Sequence, residues 1–233
     1  MSANSPFARL PEVPSFTVTS TTVADGAAWS AEQFSGIFGV PGGKDTSPQL
    51  SWSGAPEGTK SYAVTVYDAD APTGSGFWHW AVADIPATVT ELPEGAGDDT
   101  GSGLPKGAFQ LRGDAGAARF IGAAPPAGHG EHRYFVVVHA LDVASIGVQA
   151  DATPAVLGFT MFGHVLGRAV LVATAETPAQ ASARPLTRPP RPCSPRRGGL
   201  RLRSDTSHPP ARVISPLYAW RGPGVDLGGK RSN

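Results

Sequence analysis

Tyr62-Ala63-Val64-Thr65-Val66-Tyr67-Asp68 is the stretch on which the fold turns. On a period of two, Tyr62, Val64 and Val66 share one face, and Ala63, Thr65 and Tyr67 share the other. Both faces are largely apolar, so the segment reads as a central strand covered on both sides. Phe77 to Ile85 repeats this two-sided character, and Arg133 to Leu141 supplies a third such strand. With Gly 29 and Pro 23 in 233 residues, the chain is expected to be mainly β, with short strands and many turns.

Working outward, Ser15 to Val23 is β-prone and Leu50-Ser51-Trp52 is a short strand closed by Gly54-Ala55-Pro56. Trp29 to Gly36 reads as a single helical turn or a loop. Thr88 to Asp114 is polar and Gly-rich, a long connection with little regular structure expected. Thr153 to Gly167 has a partly helical spacing of Val156, Phe159, Met161, Phe162, Val165 and Leu166, weakened by Gly158 and Gly163. Ala169 to Ala175 is a last strand.

The formal net charge of zero is a cancellation. Residues 1–177 hold 8 Lys+Arg and 17 Asp+Glu, a net of −9, whereas residues 178–233 hold 11 and 2, a net of +9. That second segment has 10 Pro and 10 Arg, with apolar residues too scattered to form a face. It cannot bury enough surface to offset its ordering entropy, so disorder is expected. Out-of-frame read-through of GC-rich coding sequence and a basic interaction tail both suit its composition. The expected organisation is therefore an extended lead-in over 1–14, a β domain over 15–177 and a tail over 178–233.

The single cysteine, Cys193, permits no internal disulfide. The start Met1-Ser2-Ala3-Asn4-Ser5-Pro6 lacks the basic and apolar regions of a secretory signal. No run approaches the ~18 apolar residues of a membrane span. Cytoplasmic is the default expectation.

Five ordered blocks carry a specific resemblance. They are Gly42-Gly43 through Ser47-Pro48-x-Leu50-x-Trp52; Asp68-x-Asp70-Ala71-Pro72-Thr73-Gly74-Ser75-Gly76; Trp78-His79-Trp80; Pro125-Pro126-x-Gly128-His129-Gly130-x-His132-Arg133-Tyr134-Phe135; and Phe162-Gly163-His164-Val165-Leu166. In order and spacing they resemble the phosphatidylethanolamine-binding protein family, and more narrowly its short bacterial, Raf-kinase-inhibitor-like branch. The match runs from about Phe34 to about Thr174. It implies an antiparallel β-sandwich with a few short helices, an anion-binding pocket and no agreed enzymatic activity. Ala69 departs from the proline usual between the two aspartates. Ala124, Phe120 and the stretch Gln110 to Ala115 depart as well.

By this resemblance the anion-binding residues are Asp68, Asp70, His79, Ala124, His132 and Tyr134. Expected walls are Pro72, Trp78, Trp80, Phe120, Pro125, Pro126 and Gly128. Residue chemistry is compatible with these roles. Strand parity places Asp68 and Asp70 on one side, where two close carboxylates press one towards its neutral form. The plainer alternative is an Asx-turn before Pro72. His79 alone would read as a core histidine satisfied by a backbone carbonyl, and the resemblance makes it a pocket residue. His132 and Tyr134 share parity, which turns Arg133 the other way, towards an acidic partner. Pro125, Pro126 and Gly128 suit a loop held rigidly against a ligand. The His129-x-x-His132 spacing invites zinc, but no third and fourth ligand appears at useful spacing. His139 and His164 read as structural.

Three functional readings follow. The first is a binding protein for a small anion or phospholipid headgroup, regulating or inhibiting a kinase or protease, with no cofactor and no metal. The second is an enzyme acting on a phosphorylated or carboxylated metabolite, with Asp68, Asp70 and His79 in acid–base roles. Against it, the sequence offers no Ser or Cys elbow, phosphate-cradling Gly-Lys loop or metal set. The third is nucleic-acid binding through the basic tail, which lacks interleaved aromatics and is opposed by the acidic body.

Overall fold

The computed structural model describes residues 5–179. The Arg/Pro-rich segment, apart from its first two residues, lies outside the described residues.

The strands are β1 (Thr17–Thr19), β2 (Leu50–Ser53), β3 (Ser61–Asp68), β4 (Phe77–Pro86), β5 (Glu91–Leu92), β6 (Phe109–Gln110), β7 (His132–Leu141) and β8 (Val165–Ala175). One helix, α1 (Pro154–Met161), precedes β8, and a 3-10 turn spans Ala31–Gln33. A five-stranded sheet has the order β6-β4-β3-β7-β8, and a three-stranded sheet has the order β1-β2-β5. Every named pairing is antiparallel. The three two-sided stretches of the sequence are the three inner strands of the larger sheet.

Their apolar alternation explains both layers. On one face Val64, Val66, Trp80, Val82, Val136 and Val138 pack against Leu50, Trp52 and Leu92 of the smaller sheet. Burying each such side chain contributes about 1.5–3 kcal/mol. On the other face Ala63, Ala81 and Ala83 present short side chains, and Leu157 and Met161 of α1 pack over them.

The helix is shorter than its sequence pattern predicts. It starts where Pro154 follows Thr153, whose hydroxyl accepts from the Val156 amide at 3.3 Å. It ends at Met161, and Val165 and Leu166 belong to β8, with Val165 paired to Leu141. The free edge of β7 offers these two residues ladder hydrogen bonds, and a β-branched valine suits a strand better than a last helical turn. As a result, Val156, Phe159 and Phe162 do not join the core and stay exposed. The connection from 88 to 114 contains only the two-residue strands β5 and β6.

Candidate functional site

The pocket forms where β3, β4 and β7 end together. Asp68 is the last residue of β3 and pairs with Tyr134 of β7 on one side and Phe77 of β4 on the other. The chain returns from β3 to β4 through a tight loop that closes on Gly76 (φ 69°). A Cβ at Gly76 would stand 2.7 Å from the Asp68 carbonyl oxygen, so this position requires glycine on two grounds.

His79 reaches the pocket through a bulge. The register shifts between the pairs Val66–Trp80 and Tyr67–Trp78, leaving His79 as the extra residue of β4. Trp80 enters the main core, where its indole donates to Gln110 at 2.6 Å. Trp78 lies on the opposite face against Tyr67, with ring centroids 4.5 Å apart. His79 packs between Phe77 (4.8 Å) and Tyr134 (5.0 Å). Re-aiming a side chain is a common use of a bulge.

The resulting cavity has a volume of about 120 Å³. That is roughly the space of four waters. Asp68, His79, His132 and Tyr134 supply its polar groups, and Ala71, Pro72, Phe77, Pro125 and Pro126 its apolar wall. Ala124 and Thr73 also line it, and Phe38 stands at its rim, edge-on to Phe77 at 6.2 Å. Of the residues expected from the sequence, the structure thus brings together Asp68, His79, Ala124, His132, Tyr134, Pro72, Pro125 and Pro126.

It places the others elsewhere. Asp70 does not line the cavity: its carboxylate accepts from Arg133 Nε at 2.8 Å, Nη2 at 2.7 Å and the backbone amide at 3.0 Å. The strand stops at Asp68, so the parity that would have aligned the two aspartates does not persist. Phe120 packs on Trp80 in the core behind the cavity. Gly128 (φ 75°) forms the turn between Pro126 and His129 and donates its amide to Thr177 at 2.9 Å. Phe38, Ala71, Thr73 and Phe77 complete the lining without having been foreseen. Phe77 shares β3-end pairing with Asp68 and was within reach of a register argument. Phe38 arrives from a separate Gly-rich loop and carries no local signal.

The polar groups are wired in a definite way. Asp68 is 3% exposed. Its Oδ1 accepts from the Asp70 amide at 2.8 Å and its Oδ2 from His132 Nδ1 at 2.8 Å. The Asx-type contact and the pocket role therefore coexist in one side chain. His132 Nε2 is in turn 2.7 Å from His129 Nδ1, so the His-x-x-His spacing serves a histidine–histidine hydrogen bond. Among the described residues no cluster of three or more His, Cys, Asp or Glu is placed to hold a metal ion.

His79 Nδ1 donates to the Ile121 carbonyl at 2.7 Å, which leaves Nε2 as the ring atom towards the cavity. Burial holds the His79 pKa below its ordinary value of 6.5, against the opposing pull of that carbonyl and of Asp68. The Tyr134 hydroxyl is buried and makes no hydrogen bond of normal geometry among the described residues, although the Asp68 carboxylate and the Ala124 backbone lie near enough to act on it. Burial first, and the Asp68 charge second, push its pKa up, so the phenol keeps its proton and remains a donor. The only other hydroxyl of the lining, on Thr73, donates to the Gly76 carbonyl. A neutral imidazole and a protonated phenol thus face a small cavity whose one carboxylate is already paired.

Comparison with known proteins agrees with this fold. A profile of the phosphatidylethanolamine-binding protein family matches residues 19–176. The UPF0098 protein YbcL of Escherichia coli K12 is 48% identical over 158 residues, covering 68% of this chain and 86% of its own. YbhB of the same organism is 47% identical over 131 residues, covering 56% and 82%. The crystal structure of E. coli YbcL, described as a new member of the mammalian PEBP family, superposes with a TM-score of 0.67. It is 46% identical, over 69% of this chain and 98% of that one. A PEBP homologue from Chlamydia trachomatis superposes with a TM-score of 0.58 at 27% identity, over 70% of this chain and 98% of that one. With a family match across more than half its length and these relatives, the chain belongs to the phosphatidylethanolamine-binding protein family, in its bacterial YbhB/YbcL branch.

Proposed function

We propose that the pocket binds a small oxyanion, the phosphate or carboxylate of a metabolite or of a phospholipid headgroup, and that the protein works by binding rather than by catalysis. The observation that carries this reading is the Tyr134 hydroxyl, a buried, protonated donor with no hydrogen bond of normal geometry among the described residues, beside the outward nitrogen of His79. A buried donor left unsatisfied costs about 1–3 kcal/mol, which an oxyanion accepting from it would recover. The Asp68–His132–His129 chain favours the same reading, because the one carboxylate at the cavity already has a hydrogen-bonded counter-group. The hydroxyls present are a high-pKa phenol and a threonine committed to a carbonyl, neither of them an activated nucleophile.

An anion seated on His79 Nε2 favours the imidazolium. Binding therefore takes up a proton, and affinity rises as pH falls from 8 towards 5. Regulation of a kinase or protease is the finer role this reading proposes, with the half-exposed Phe38 at the rim as the contact. Among the described residues no helix is long and apolar enough to cross a membrane. Calorimetry with O-phosphoethanolamine and with sulfate, whose charge is constant from pH 5 to 8, tests the pocket. His79→Ala is expected to weaken binding by about 1.5–3 kcal/mol, the worth of a hydrogen bond to a charged group, without unfolding the protein. Binding that strengthens with rising pH, or that ignores His79→Ala, contradicts the reading.

A further inference from the structure

The larger sheet carries a second cavity on its other face. Its volume is about 250 Å³, twice that of the anion pocket. Its floor is the β3–β7 surface around Thr65, Phe135 and Val137, and α1 and the segment carrying Phe7 and Leu10 form its sides. The lining is mostly apolar and the mouth is greasy: Leu10 is 38% exposed and Phe162 58%. A cavity of ~150 Å³ already admits a benzene ring, and ordinary ligand sites start near ~300 Å³. This one has room for a single unbranched chain and not for a two-chain lipid.

Two polar groups sit in this apolar setting. Arg168 of β8 is the cross-strand partner of His139 of β7, and both line the cavity. Arg168 Nη1 donates to the Pro11 carbonyl at 2.9 Å, and the guanidinium lies 5.9 Å from the centre of the Phe7 ring. Its Nε is buried with no partner, and no carboxylate pairs with it among the described residues. A half-buried guanidinium without a counter-charge is an expensive arrangement. His139 is 7% exposed. Its Nε2 is 3.1 Å from the Thr65 hydroxyl, and its Nδ1 has no partner among the described residues. Burial, reinforced by the Arg168 charge, pushes its pKa down to about 3, so the ring is neutral and carries one proton. Where the Thr65 hydroxyl donates to Nε2, that proton resides on Nδ1.

We propose that this groove binds an aliphatic monocarboxylate, its chain lying between α1 and the sheet and its carboxylate accepting from Arg168 and from His139 Nδ1. The charge decides the class: an apolar slot closed by a guanidinium with no carboxylate partner among the described residues complements a chain with one anionic end, which a neutral or cationic amphiphile does not supply. The site is separate from the anion pocket, which lies on the opposite face of β3 and β7 and shares no lining residue with it.

The test is calorimetric titration of the full chain with decanoate below its micelle concentration, with decan-1-ol as the uncharged counterpart. Decanoate is expected to bind at one site, and decan-1-ol at least tenfold more weakly. Arg168→Met should weaken decanoate at least tenfold and leave decan-1-ol unchanged. Gly158→Phe is the second variant, because a Cβ at Gly158 meets nothing within 4 Å and the ring it carries would fill the groove. It should abolish decanoate binding while the protein stays folded, and it decides the matter if Arg168→Met does not fold. Absence of decanoate binding overturns the proposal, whether the groove is merely empty or already filled by another part of the chain. So does equal binding of the alcohol, or binding that survives Gly158→Phe.

Discussion

The two faces of the central sheet handle a buried histidine differently. On the face towards the smaller sheet, His79 commits Nδ1 to the Ile121 carbonyl, and the neighbouring carboxylate, Asp68, is matched by His132. On the face towards α1, His139 commits Nε2 to Thr65, but the neighbouring charge is Arg168, which has no counter-ion among the described residues. Both rings are held neutral by burial. The first face has its charge compensated internally, and it presents a neutral phenol and an imidazole nitrogen that on taking up a proton becomes a donor to a small anion. The second has an uncompensated cation and offers it to a longer one. Charge pairing around each histidine, more than the histidine itself, separates the two cavities.

The largest effect should come from undoing the compensation on the first face. Asp68→Ala leaves the His132 Nδ1 proton and the Asp70 amide without their acceptor in a buried site. A loss of roughly 3 kcal/mol is expected in urea unfolding at pH 7. A loss below ~1 kcal/mol would mean that the chain from Asp68 to His129 does not hold the strand ends together.

The second face should govern acid sensitivity. The folded-state pKa of His139 is depressed to about 3, whereas the unfolded chain titrates near the ordinary 6.5. Below that ordinary value the unfolded state binds more protons, so stability is fully present above about pH 6.5 and falls as pH drops. The slope is about 1.4 kcal/mol per pH unit across that window. His79 acts in the same direction. Unfolding of His139→Gln at pH 6, 5 and 4 should show a slope shallower by about this amount, and an unchanged slope would count against the neutral buried ring.

Smaller again is the clamp behind the first cavity. Asp70→Ala removes a bidentate partner of Arg133, with side-chain exposures of 19% and 28%. A cost of about 2 kcal/mol is expected, with sulfate affinity altered less than by His79→Ala, because Asp70 holds the loop and does not face the cavity. The smallest effect belongs to His164, whose contact with Asp142 is solvent-exposed on both sides (42% and 44%). His164→Ala should change stability by less than ~1 kcal/mol and binding not at all, by the same two assays.

Much of this was legible in the sequence. The long strands were, because β3, β4 and β7 are apolar on both faces and bounded by turn residues. The pocket's Asp68, His79, His132 and Tyr134 were, through ordered blocks that place them at strand ends. What stayed hidden was geometry that alternation cannot encode. The bulge at His79 shifts parity by one, which sends Trp78 to the opposite face and Trp80 into the core instead of to the pocket wall. The strand's end at Asp68 frees Asp70 to swing to Arg133. Val165 and Leu166 fit a helical spacing and a strand equally well, and only the open edge of β7 decides between them. The pairing of Arg168 with His139 depends on a register between segments about thirty residues apart, and nothing local announces it.

The central claim is that His79 and Tyr134 are the donors of an oxyanion pocket. Its most direct test is the long-range proton–nitrogen spectrum of the histidine side chains during titration with O-phosphoethanolamine at pH 6.5. The account predicts a saturable shift of His79 Nε2 towards the protonated position, with His139 and His164 unmoved. A titration in which His79 stays fixed, or in which His164 moves instead, would contradict it.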